Sequence, residues 1–142
     1  GVSTPASAKS KGYVFKYKGV SVTMNGAAKK LIKKAGKPSK KTVKKSCAYK
    51  GKDRTYTYKD FQLKTYSKTN NGAEYVSEIR FRSNKAVTKE GIRIGSSLKA
   101  VTKKYGKAKA RFGVYTFKKG SSKLQIMLNG NKVSAIRYFA SK

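Results

Sequence analysis

One stretch of the chain, Gly91-Ile92-Arg93-Ile94-Gly95-Ser96-Ser97-Leu98 through Gly106-Lys107, is written twice, and that repetition limits what the protein can fold into. Leu98, Val101, Thr102 and Tyr105 fall at i, i+3, i+4 and i+7, which places four side chains on one face of a helix. Ser96 or Ser97 stands where a hydroxyl can accept from a free amide of the first turn. Gly106 stands where a helix closes on a left-handed residue. The stretch predicts a short strand, a turn, a capped helix and a glycine stop. Seventy positions earlier, Ala28, Leu31, Ile32 and Ala35 hold the same four places. Lys33-Lys34 there correspond to Lys103-Lys104, Gly36 to Gly106, and Val22 and Met24 to Ile92 and Ile94.

The remainder of the chain repeats in compressed form. Tyr56-Thr57-Tyr58 returns as Tyr115-Thr116-Phe117, and Phe61-Gln62-Leu63 as Leu124-Gln125-Ile126. Val76-Ser77-Glu78-Ile79-Arg80-Phe81 returns as Val133-Ser134-Ala135-Ile136-Arg137-Tyr138. The offsets run 70, 59, 63 and 57, so loops have shortened while elements stayed. Alternating residues from Tyr13 to Tyr17 and from Val20 to Met24 predict a hairpin around Lys18-Gly19. A first helix is predicted from about Ala27 to Ala35, stopped by Gly36-Lys37-Pro38. The basic run Lys37 to Lys45 reads as a solvated loop or edge strand. Strands are expected at Ser46–Lys50, Arg54–Lys59, Phe61–Tyr66 and Glu74–Ser83, and Asn129-Gly130-Asn131 as a tight hairpin turn. The expected class is α+β: a tandem duplication of a helix plus an antiparallel β-meander, the helices packed on one face of the sheet. Residues 12–142 form one domain in this reading, with repeats at about 12–84 and 85–142. Residues 1–11 are small and polar and read as a flexible linker or tag remnant.

Charge narrows the chemistry. Among 142 residues there are 36 Lys and Arg against 5 Asp and Glu, a formal charge of +31, so polyanions are the natural partners. Arginine occurs only at 54, 80, 82, 93, 111 and 137, and a lysine-dominated surface attracts anions diffusely instead of gripping them in shaped forks. Histidine is absent, and the carboxylates Asp53, Asp60, Glu74, Glu78 and Glu90 are scattered, which excludes the common metal constellations and paired-carboxylate catalysis. The phosphate-loop pattern fails before both Gly36 and Gly106, where Leu31 and Val101 stand five positions earlier. No enzyme and no cofactor are expected. The single cysteine, Cys47, forms no internal disulfide. It is expected as a buried strand thiol, with a lysine-activated thiolate as the alternative. No apolar run reaches the ~20 residues of a membrane span.

The duplicated opening Gly91 to Gly106, of the form G-I-x-I-G-S-S-L-x-x-V-x-x-x-Y-G, resembles the beta-lactamase-inhibitor-protein-like fold. It is also similar to small extracytoplasmic proteins and lipoproteins of Gram-positive bacteria. The resemblance spans roughly Gly12 to Lys142 and implies a concave sheet face that holds a partner. It further implies an extracellular or cell-surface location, a signal or lipid anchor having been removed upstream. The inhibitor proteins carry disulfides that a chain with one cysteine lacks, and no inhibitory loop maps onto this sequence residue by residue.

Period-2 alternation locates the open sheet face. Tyr75, Ser77, Ile79 and Phe81 are expected inward, with Glu78, Arg80 and Arg82 outward. The predicted binding face comprises Gln62, Lys64, Tyr66, Arg80, Arg82, Gln125, Met127, Arg137 and Phe139. Aromatics interleaved with cations suit a protein partner, a glycan or an anionic polymer. The expected function is a non-enzymatic extracytoplasmic binding protein. The alternatives are a nucleic-acid-binding module, with Tyr56 and Tyr58 as candidate base-stacking residues, and an inhibitor of a secreted enzyme.

Overall fold

The computed structural model describes residues 12–141, and strands dominate them: 47% strand against 12% helix. In chain order the elements are β1 (Val14–Tyr17), β2 (Val20–Thr23), α1 (Lys29–Ala35), β3 (Lys40–Lys45), β4 (Lys52–Thr57), β5 (Phe61–Ser67), β6 (Glu74–Phe81), α2 (Leu98–Tyr105), β7 (Val114–Lys119), β8 (Ser122–Asn129) and β9 (Lys132–Ala140). β1 and β2 form a separate hairpin. The other strands form one antiparallel sheet in the order β3-β4-β5-β6-β9-β8-β7. The predicted linker at 1–11 lies outside the described residues.

The expected α+β class, with a repeated helix-plus-meander unit, is overturned. The helices have seven and eight residues, about two turns each, too little to make a layer. Each sends one residue into the buried core, Leu31 from α1 and Val101 from α2. The two halves also differ in content. Residues 91–94, expected as a strand, form none; the Arg93 amide instead donates to Ser96 Oγ at 3.0 Å, and the Ser96 amide to the Arg93 carbonyl at 3.0 Å. A turn closed twice leaves those amides unavailable to a ladder.

The hydrophobic pattern nonetheless puts the core where alternation requires. Phe61 and Leu63 of β5, Ile79 of β6, Leu124 and Ile126 of β8, and Ile136 and Tyr138 of β9 are buried on one face. The β1–β2 hairpin covers the centre of that face through Phe15, whose ring lies 5.3 Å from Phe61 and 5.5 Å from Phe81. Burial of a large aromatic side chain of this kind contributes roughly 1.5–3 kcal/mol. Tyr105 at the end of α2 packs on Phe117 of β7 at 5.3 Å.

A second correction concerns Ser46–Lys50, which is a turn. The Ala48 and Tyr49 amides both donate to Ser46 Oγ, at 3.2 and 3.1 Å, and the Ser46 amide donates to Gly51 O at 3.0 Å. The strand lies earlier, as β3, an exposed edge strand. Cys47 is therefore exposed on the turn instead of buried in a strand.

The positions aligned in the sequence recur in the bonding. The Asn25 amide donates to Val76 O, Val76 to Gly26 O, and Ala28 to Glu74 O, at 2.7, 2.9 and 3.0 Å. Gly95 donates to Val133 O, Val133 to Ser96 O, and Leu98 to Asn131 O, at 2.8, 2.8 and 2.9 Å. Every partner in the second set is shifted by the same 70 or 57 positions as in the sequence. At the centre of the sheet, β6 and β9 pair with Arg80 directly opposite Arg137. Position 80 thus stands opposite position 137, the residue it matches in the sequence.

Candidate functional site on the outer sheet face

The face of the sheet away from the core is built by the same alternation. On β5, Gln62, Lys64 and Tyr66 alternate with buried Phe61, Leu63, Thr65 and Ser67. Antiparallel register then aligns equivalent side chains across strands. One continuous row runs Lys40, Thr57, Gln62, Arg80, Arg137, Gln125, Thr116, each directly opposite the next. Gln62 Nε2 donates to Thr57 Oγ1 at 3.1 Å, and Arg137 Nε donates to Gln125 Oε1 at 2.7 Å. On each side of the pair of arginines a glutamine and then a threonine follow, and Lys40 extends the row on the Arg80 side alone.

One acid serves that pair. Glu78 Oε2 accepts from Arg80 Nε at 3.3 Å and from Arg80 Nη2 at 3.0 Å, while its Oε1 lies 3.4 Å from Arg137 Nη1. Lys64 Nζ stands 4.0 Å from the same oxygen. Three cations share one carboxylate, so the centre of the face keeps positive charge. Phe139 lies beside them with the Arg137 guanidinium 4.4 Å from its ring centroid, a cation–π contact. Met127 is 46% exposed on the same face. Arg80, Arg137, Gln125, Met127 and Ala135 line a hollow of about 260 Å³.

The structure separates two of the nine predicted residues from this centre. Arg82 is exposed, yet its guanidinium donates to the Tyr58 carbonyl and its amide to Asp60 O at 2.8 Å, so it braces the β4–β5 turn. Tyr66 belongs to an aromatic group farther along the face: its ring lies 5.2 Å from Tyr49 and 5.5 Å from Tyr75, and its hydroxyl donates to Asn25 Oδ1 at 3.0 Å. A second hollow, of about 450 Å³, opens there, lined by Tyr49, Tyr66, Lys44, Lys64 and Ser77 among others. Burial from solvent raises the Tyr66 pKa above the ordinary tyrosine range, and the charges of Tyr49 and Tyr75 add to it.

Tyr75 and Ser77 were expected inward, and here the alternation fails. Lys64 pairs with Glu78 but Thr65 with Val76, so a β-bulge leaves Ser77 without a cross-strand partner. The bulge reverses the phase of β6. Val76 is buried, while Tyr75 packs on Tyr66 and Ser77 lines the hollow. Glu78 was expected outward but not among the binding residues, and the sequence pattern did not point to Thr57, Thr116 and Ala135 as parts of the face. Their membership follows from strand register, which is a long-range property.

Tyr56 and Tyr58 face the other way. They are 3% and 5% exposed, which removes them as base-stacking platforms. The Tyr56 hydroxyl donates to Glu74 Oε1 at 2.7 Å, and Thr65 Oγ1 donates to the same oxygen at 2.7 Å. Burial, and secondarily the Glu74 charge, pushes the Tyr58 phenol up to about 12. No described helix is long and apolar enough to cross a membrane. Comparison of the chain with known families, curated proteins and solved structures finds no match, so the reading of this face rests on its geometry.

Proposed function

We propose that the outer face of the seven-stranded sheet binds an anionic polymer with repeated phosphate groups, in a non-enzymatic protein of the cell surface. The observation that carries this reading is the side-by-side pair Arg80 and Arg137 at the centre of the row, with Glu78 as their shared acid. Arginine presents a rigid fork of donors that matches phosphate oxygens two at a time, and lysine does not. The surrounding lysines supply long-range attraction that concentrates any polyanion near the face, and the arginines supply selection. The extracytoplasmic location is part of the proposal and is supported by the resemblance described above.

The test is binding of a purified wall phosphate polymer and of double-stranded DNA, each across a salt series. The wall polymer is expected to retain binding at salt concentrations that release DNA. Arg80→Ala and Arg137→Ala are each expected to weaken polymer binding by about fivefold or more, beyond any Lys pair changed between Lys40 and Lys45. Equal losses from the lysine and arginine variants would refute a sheet-face site. Salt-resistant DNA binding would instead assign the chain to nucleic-acid recognition.

A further inference from the structure

Sequence offsets and strand register allow one side of the arginine pair to be compared with the other. Glu78 corresponds to Ala135 at the offset of 57, and Lys64 corresponds to Met127 at the offset of 63. In the first half Lys64 stands directly opposite Glu78 across β5 and β6. In the second half Met127 stands directly opposite Ala135 across β8 and β9. One side of the arginine pair therefore carries a carboxylate with its lysine. The other side carries the hollow of about 260 Å³, with Met127 and Ala135 in its wall.

We infer that this hollow seats one phosphate group of the polymer, in the place where the counterpart of Glu78 is missing. The inference rests on the polymer-binding reading and assigns its central contact. Glu78 engages Arg80 through Nε and Nη2 and Arg137 through Nη1. A guanidinium has five N–H donors, so both retain donors for a second anion. Arg80 is reachable, with half of its side chain exposed, and Arg137 retains 32%. Glu78 then acts as an internal counter-ion. It holds both guanidiniums within 3.0–3.4 Å of its oxygens in the free protein and balances part of their repulsion. A phosphate entering from the Ala135 side completes the neutralisation that one carboxylate leaves incomplete. The exposed Met127 side chain offers an apolar contact to the carbon segment that joins successive phosphates.

The experiment measures affinity of the full chain for the wall phosphate polymer at fixed salt, with inorganic pyrophosphate as a second probe. Ala135→Glu restores the missing carboxylate and is expected to weaken both probes by about tenfold. Lys34→Gln on α1 lowers the net charge by the same single unit and is expected to change affinity little. Ala135→Gln, similar in bulk but neutral, is expected to fall between them and guards against a mere folding defect. Glu78→Gln is expected to tighten binding, and the gain is expected to vanish when Arg137 is already alanine. If wild-type binding resists salt and depends on Arg80, yet Ala135→Glu behaves as Lys34→Gln, the seat is wrong and the polymer reading survives. If wild-type binding does not outlast that of DNA in salt, the polymer reading fails, and the seat fails with it.

Discussion

At the scale of single residues, close packing between backbones decides several positions. Gly51 is the sharpest case. A Cβ there would lie 2.0 Å from the Ser67 carbonyl oxygen and 2.6 Å from its carbon, and neither can swing aside. Gly51→Ala is therefore expected to destabilise the protein by about 1–3 kcal/mol, read from urea unfolding. A loss of only a few tenths would mean that the β3–β4 turn relaxes freely. That turn carries Cys47 and Tyr49, so its rigidity also sets where Tyr49 meets Tyr66. Residue-level signals in the sequence worked where chemistry is local. Ser97 Oγ accepts from the Ala100 amide at 3.1 Å, and Gly106 closes α2 at φ 89° with its amide donating to Thr102 O, as their types and places require. They failed for Cys47, whose exposure follows from two amides turning onto Ser46.

At the scale of elements, the two helices start by different means. α2 has a side-chain cap in Ser97. α1 begins at Ala28 with no side-chain cap. Its entry is held by backbone bonds from Asn25 and Ala28 to β6, which α2 also has to β9. Ser97→Ala is expected to cost about 1 kcal/mol in chemical denaturation while leaving the fold intact. A change within a few tenths would show that the bridge to β9 alone holds the helix start. Hairpins with short turn signals were legible: β1 and β2 close around Lys18-Gly19, and β8 and β9 around Gly130-Asn131. The bulge opposite Lys64 and Thr65 was not legible. Nothing in the residues of β6 alone shows where its partner strand slips by one, and the error reversed Tyr75, Val76 and Ser77.

At the scale of the whole molecule, a formal charge of +31 on 142 residues opposes compaction. Salt is expected to raise the thermal midpoint as the Debye length falls from about 30 Å at 0.01 M to about 8 Å at 0.15 M. If the outer face binds phosphate polymers as proposed, a polyphosphate is expected to do so at lower ionic strength, by favouring the folded state. A midpoint that is flat or falls over this range would show that the lysines are spaced widely enough for repulsion not to matter. The expected α+β class erred at this scale as well. The helical periodicities are real, but two short helices beside nine strands leave the described residues mostly β.

What the sequence determined alone is whatever depends on neighbours along the chain. It set the alternation that divides Phe61 and Leu63 from Gln62 and Lys64, the cap at Ser97 and the tight turns. These follow from backbone geometry and side-chain hydrogen bonds within a few residues. Tertiary structure alone decided which strands meet and in what register. It placed Arg80 against Arg137, gave both to Glu78, and left Ala135 and Met127 around a hollow. A pairing between residues 57 positions apart is chosen by the burial of a whole sheet, and no local interaction encodes it.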